Sequence, residues 1–120
     1  MARKRTPEPH YESLFEHVLA FRTYGEAEGS LRRLDELLHG FVAASDKKGV
    51  ECCRNAALQG RRRAEMIARN PRVDPVKRSQ KREIALWFRI WLEDPDLFWD
   101  WLELRKAAPG FADLARNDAK

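Results

Sequence analysis

The sequence predicts an all-α protein, a compact bundle of four to five helices in a single domain. Three observations carry that prediction. Apolar residues recur at spacings of three and four in successive segments, Gly, Asn-Pro and Asp-Pro punctuate the chain between those segments, and no stretch alternates as a strand would. With 120 residues, 43% of them hydrophobic, the chain can bury one core but has no length for a second. The 35% of charged residues, beside only 6 Gly and 6 Pro, suits a highly charged helical surface and excludes a collagen-like or disordered chain.

Residues 1–9 read as a disordered basic tail, residues 10–116 as the bundle domain and residues 117–120 as a short tail. A first helix is expected over residues 10–24, because Tyr11, Leu14, Phe15, Val18 and Leu19 share one helical face and Gly25 stops it. A second is expected after Gly29, with Ser30 as N-cap and Leu31, Leu34, Leu37, Leu38, Phe41 and Val42 in register to about Ala44.

Asp46 is placed to cap a third helix over residues 47–69. Its inward stripe of Val50, Cys53, Ala57, Gly60, Ala64 and Ile67 is built mainly of small side chains, which suits close packing along a neighbour with Gly60 at the crossing point. Asn70-Pro71 breaks that helix, and Asp74-Pro75 restarts the chain for a fourth one to about Glu93. Asp94-Pro95 repeats the device for a fifth over residues 95–107, and a short helical tail follows through Phe111 and Leu114. The second half of the fourth segment, from Ile84 to Leu92, is apolar nearly all round, and Phe98, Trp99 and Trp101 follow on the fifth. Their corner is the expected heart of the core.

Charge is unevenly distributed. Residues 47–92 hold 13 Lys and Arg against 4 Asp and Glu, whereas the segments on either side are slightly acidic. Arg54, Arg61, Arg62 and Arg69 fall within about 100° of arc on the third helix. The fourth begins with Lys77, Arg78, Lys81 and Arg82, and Lys77, Gln80 and Lys81 lie on the line that Ile84, Phe88 and Trp91 continue.

Two basic segments meeting at Asn70-Pro71 would form a groove suited to a phosphate backbone, with arginines adding bidentate contacts. Internal neutralisation, with the acidic outer helices packed beside a basic centre, would explain the same pattern without a ligand. An acidic protein or an anionic lipid is the other partner for such a face. No helix-turn-helix spacing, zinc-finger ligand set or Gly-rich phosphate loop is present, so a nucleic-acid contact would be to the backbone.

The alternative function is protein interaction or homo-oligomerisation through the aromatic-rich fourth and fifth helices, with Leu86, Ile90 and Trp99 as interface candidates. Catalysis is not expected. His10 and His17 lack a carboxylate cluster at metal-ligand spacing, His39 lies on another helix, and Asp96, Asp100 and Glu103 line an outer face without an apolar pocket. No cofactor or metal is implied. Cys52 and Cys53, adjacent and therefore about 100° apart on a helix, read as reduced thiols, of which only Cys52 points away from the packing stripe. With no apolar run of about 18 residues and no secretion signal, the expectation is a cytoplasmic protein without a transmembrane segment.

Overall fold

The computed structural model of the chain describes Phe15 and residues 21–116, and five helices follow one another within them without a strand. They are α1 (Tyr24–Ala43), α2 (Lys47–Arg69), α3 (Pro75–Glu93), α4 (Pro95–Ala107) and α5 (Pro109–Ala115). The expected basic tail, the 117–120 tail and most of the expected first helix lie outside the described residues. Phe15, one of that helix's inward residues, is buried in the core.

The start of α1 corrects the sequence reading. Ser30 is not a cap but a buried residue in the helix, which begins six residues earlier at Tyr24. Thr23 is the N-cap: its Oγ1 accepts from the Glu26 amide at 3.0 Å, and the Glu26 carboxylate reaches back to accept from the Arg22 amide at 2.6 Å. This Thr-x-x-Glu pair satisfies one open amide of the helix's first turn and the amide of the residue before the cap. Gly25 and Gly29 are therefore carried inside the helix rather than ending it, on an exposed face where each costs about 1 kcal/mol relative to Ala. The cap and the burial of Tyr24, Ala27, Leu31 and Leu34 offset that cost.

α1 ends in a Schellman turn, with the Asp46 amide donating to the Phe41 carbonyl at 2.8 Å and the Ser45 amide to Val42 at 3.0 Å. Ser45 takes the left-handed conformation, φ 56°, that this turn requires. The Asp46 side chain then caps α2 through the Gly49 amide at 3.0 Å, as expected. Asp74 and Asp94 cap α3 and α4 in the same way, each accepting from two amides just inside the helix.

α2 and α3, joined by a five-residue connection, form the most extensively packed helix pair. The small-residue stripe makes that possible. Cys53, Ala56, Ala57, Gly60, Ala64 and Ala68 are buried, and a Cβ on Gly60 would stand 2.9 Å from the Phe88 ring. Ile84, Trp87, Phe88 and Trp91 fill the opposite side and are almost wholly excluded from solvent.

Tyr24, Trp87 and Phe111 form one ring cluster, with centroids 5.0–6.0 Å apart, that joins α1, α3 and α5. Phe98 and Leu102 bring α4 onto the same core. The α3–α4 corner is thus its heart, as the aromatic density predicted. Trp101, expected at this corner, is half-buried at its edge.

Candidate functional site

The basic hairpin folds into a cleft. Its walls are two facing stripes, Arg61, Glu65 and Arg69 on α2 and Ser79, Arg82, Leu86 and Arg89 on α3. Residues four, then three or four apart, lie along one side of a helix, so the chain generates each wall from local spacing alone. Arg105 of α4 and Leu114 of α5 border the cleft, Ala68 and Ala85 contribute apolar lining, and the volume, open to solvent on one side, is about 590 Å³. Five arginines and two glutamates line it, so its charge is positive.

Those arginines are not equivalent. Glu83, 5% exposed, accepts two hydrogen bonds from Arg105, Nε to Oε2 at 2.7 Å and Nη2 to Oε1 at 2.6 Å, and a third from Trp87 Nε1 at 3.0 Å. The fork-to-fork geometry fixes the plane of the Arg105 guanidinium and satisfies a carboxylate that would otherwise be buried at high cost. Hydrogen bonding to Glu83, partly opposed by burial, holds Arg105 more firmly protonated than an ordinary arginine.

Arg61 is oriented by Glu65 at 3.1 Å, and Arg89 approaches Glu93 at 3.9 Å. Arg69 and Arg82 form no ion pair among the described residues and are exposed at the cleft's edges.

The sequence-predicted cations divide accordingly. Arg61, Arg69 and Arg82 line the cleft. Arg54, Arg62 and Lys77 are exposed outside it, and Arg78 is half-buried on α3. Lys81 is a correction: only 5% exposed, it donates from Nζ to the Phe21 carbonyl at 2.7 Å and lies 5.3 Å from the centre of the Phe21 ring. Gln80 likewise donates to the Arg22 carbonyl at 3.0 Å. The core-facing line of α3 does turn polar toward its N-terminus, but it does so to satisfy the non-helical backbone just before α1, and Lys81 is consumed there.

Arg89 and Arg105 were not among the expected site residues. Arg89 stands seven residues after Arg82, a spacing visible in the chain, whereas Arg105 enters only through tertiary packing.

The pattern of ion pairs bears on whether the acidic outer segments neutralise the basic centre. Among the described residues, the cations outside residues 47–92 all have carboxylate partners: Arg22, Arg32, Arg33, Arg105, Lys106 and Arg116. Two of these pairs join distant elements, Arg105–Glu83 and Lys106–Glu28 at 2.8 Å, and neither brings an outer acid to a central cation. Arg54, Arg62, Arg63, Arg69, Arg72, Lys77, Arg78 and Arg82 have no carboxylate within 4.0 Å among the described residues. The cations left without partners are concentrated on the hairpin.

Of the interface candidates, Leu86 lines the cleft, Ile90 packs against the core, and Trp99 is half-buried against Phe98 with the Arg32 guanidinium 4.6 Å from its ring centre. Among the described residues the large apolar side chains most exposed to solvent lie elsewhere, Leu104 of α4 at 75% and Met66 of α2 at 71%, followed by Leu97 of α4 at 62%.

His10 and His17 fall outside the described residues. His39 is exposed beside Asp35, its Nδ1 2.9 Å from the Asp35 carbonyl. Cys53 is fully buried, and burial first, with the neighbouring Cys52 second, pushes its thiol up to about 12. No helix of the described residues is long and apolar enough to cross a membrane. No family model, curated protein or solved structure matches the chain.

Proposed function

We propose that this chain is a non-catalytic binding module that contacts nucleic-acid phosphates through the cleft and rim of the α2–α3 hairpin. The observation that carries the reading is the segregation of charge. Arg54, Arg62, Arg69, Lys77, Arg78 and Arg82 of the hairpin lack carboxylate partners among the described residues, whereas Arg61 and Arg89 and the cations of the flanking helices are paired. An unpaired, clustered set of guanidinium groups attracts polyanions and releases their counterions on binding, which is the physical basis of phosphate-backbone affinity. Arg69 and Arg82 are the central contacts, with Arg54, Arg62, Lys77 and Arg78 extending the positive surface.

The test is fluorescence anisotropy of labelled DNA and RNA at about 50 and about 200 mM salt. Arg69→Glu/Arg82→Glu should abolish binding in a folded protein. Arg32→Glu/Arg33→Glu, which changes net charge equally at two exposed positions of α1 outside the hairpin, should leave most of it. Equal losses in the two variants would mean that net charge alone is being read, and the site would be wrong.

A second reading, an oligomerisation or protein-interaction module, is favoured by one feature, the exposed Leu97 and Leu104 two turns apart on α4. Association through that face would be nearly indifferent to salt and would disappear in Leu97→Glu/Leu104→Glu.

A further inference from the structure

We infer that the cleft takes a single nucleic-acid strand, with an unstacked nucleotide entering between α2 and α3, rather than the face of a duplex. This rests on the phosphate-binding reading above and adds the form of the strand. A duplex offers its phosphates on a convex surface, and rim cations such as Arg62 and Lys77 could meet it without any cleft at all.

The floor of the cleft, Ala68, Glu83 and Ala85, is buried between two helices while Arg69, Arg82 and Arg89 stand exposed around it, and its volume of about 590 Å³ falls in the range of about 300–1,000 Å³ of sites that take small organic groups. Only a strand whose bases are free of pairing can place a base inside it.

The chemistry of the lining points the same way, because it contains two kinds of arginine. Arg69 and Arg82 have no ion-pair partner among the described residues and stand at the edges, as phosphate clamps would. Arg61 and Arg105 are held by Glu65 and Glu83, so much of their charge is already compensated, and the two-point contact fixes the plane of Arg105. An oriented guanidinium is a stacking surface for a base, a contact that tolerates every base because each has a π face. Leu86 and Leu114 supply apolar surface beside them.

A purely electrostatic duplex site would gain nothing from leucines or from arginines whose charge is already matched by carboxylates. Sequence preference should be slight, since the backbone and the π face are what the lining can read.

The experiment compares a labelled twelve-nucleotide oligothymidylate, the matching RNA and a twelve-base-pair duplex by anisotropy at about 50 mM salt, with the intact chain. Single strands should bind about tenfold or more tightly than the duplex. Leu86→Trp, which fills the cleft without changing charge, should weaken single-strand binding about tenfold and leave duplex binding within about twofold. Ser79→Phe, which fills the cleft from another lining position on α3, serves the same purpose if Leu86→Trp fails to fold, as judged by circular dichroism.

Equal or tighter binding of the duplex, or a single-strand preference that survives a folded filled-cleft variant, would overturn the strand inference while leaving phosphate binding intact. Absence of binding to all three nucleic acids would overturn both.

Discussion

Glu83→Gln isolates the interaction that holds α4 against the cleft. Glu83 is 5% exposed and accepts three hydrogen bonds, two from Arg105 and one from Trp87. Glutamine conserves shape but turns one acceptor into a donor, so at least one N–H of Arg105 or Trp87 loses its partner. A hydrogen bond to a charged group contributes about 1.5–3 kcal/mol, and stranding a buried donor costs about 1–3 kcal/mol. The Arg105 side chain is 40% exposed and can turn toward water, which recovers part of the loss. The net expected destabilisation is therefore about 2 kcal/mol, a sizeable share of a typical domain's 5–15 kcal/mol.

Arg105→Met should cost about as much or more, because it leaves the Glu83 carboxylate buried with only Trp87 as partner. In urea denaturation the double variant should then be less destabilised than the two single losses added together, by about 1–2 kcal/mol. A Glu83→Gln effect below about 0.5 kcal/mol, or additivity within that margin, would refute the claim that this pair fixes the α4 border of the cleft.

Three other outcomes follow from the packing and the ionisation of the fold. Gly60→Val should destabilise by about 2–3 kcal/mol in the same denaturation assay, since even a Cβ there meets the fully buried Phe88 ring at 2.9 Å, and a neutral result would mean that α2 and α3 are not in such close contact. Cys53, with its thiol pushed up to about 12, should resist alkylation at pH 8 in the native protein and react in urea, so rapid native labelling mapped to Cys53 by mass spectrometry would contradict its burial.

Glu28 titrates below its ordinary 4.5: burial raises it, but hydrogen bonds from Lys106 and Arg32 and their charges outweigh that. A carboxylate lowered by folding contributes stability that is present above the unfolded pKa and is lost as pH falls through the folded one. Melting temperature should thus drop between pH 6 and pH 3 by less in Glu28→Gln than in the parent. An identical drop would show that the α1–α4 tether through Lys106 contributes nothing to acid lability.

How far the sequence discloses this fold depends on whether the governing interaction is local. The Asp46, Asp74 and Asp94 caps and the prolines that follow two of them are local, and α2, α3 and α4 occur at the residues those signals predict. The start of α1 was local too, but Thr23-x-x-Glu26 was outweighed by Gly25 and Gly29, whose cost is modest on an exposed helix face.

Lys81 and Glu83 could not be read in this way. Glu83 looks like a surface charge in a basic run and Lys81 like the polar end of a core-facing line, yet each is buried against a partner distant in sequence, the Phe21 carbonyl 60 residues away and Arg105 22 residues away. The cleft was half visible. Its two helical stripes follow from spacing, whereas its border of Arg105 and Leu114, and the division between paired and unpaired arginines, exist only once α4 and α5 pack beside the hairpin.

The most direct test of the account is the salt dependence of single-strand affinity for the parent and for Arg69→Ala/Arg82→Ala. Each phosphate contact on a single strand contributes about 0.7 to the slope of log affinity against log salt. Loss of two clamps should make that slope shallower by about 1.4, with weaker binding at every salt concentration. An unchanged slope in the variant, or a parent protein that binds no strand at about 50 mM salt, would contradict the proposal that the unpaired arginines of the hairpin exist to engage phosphates.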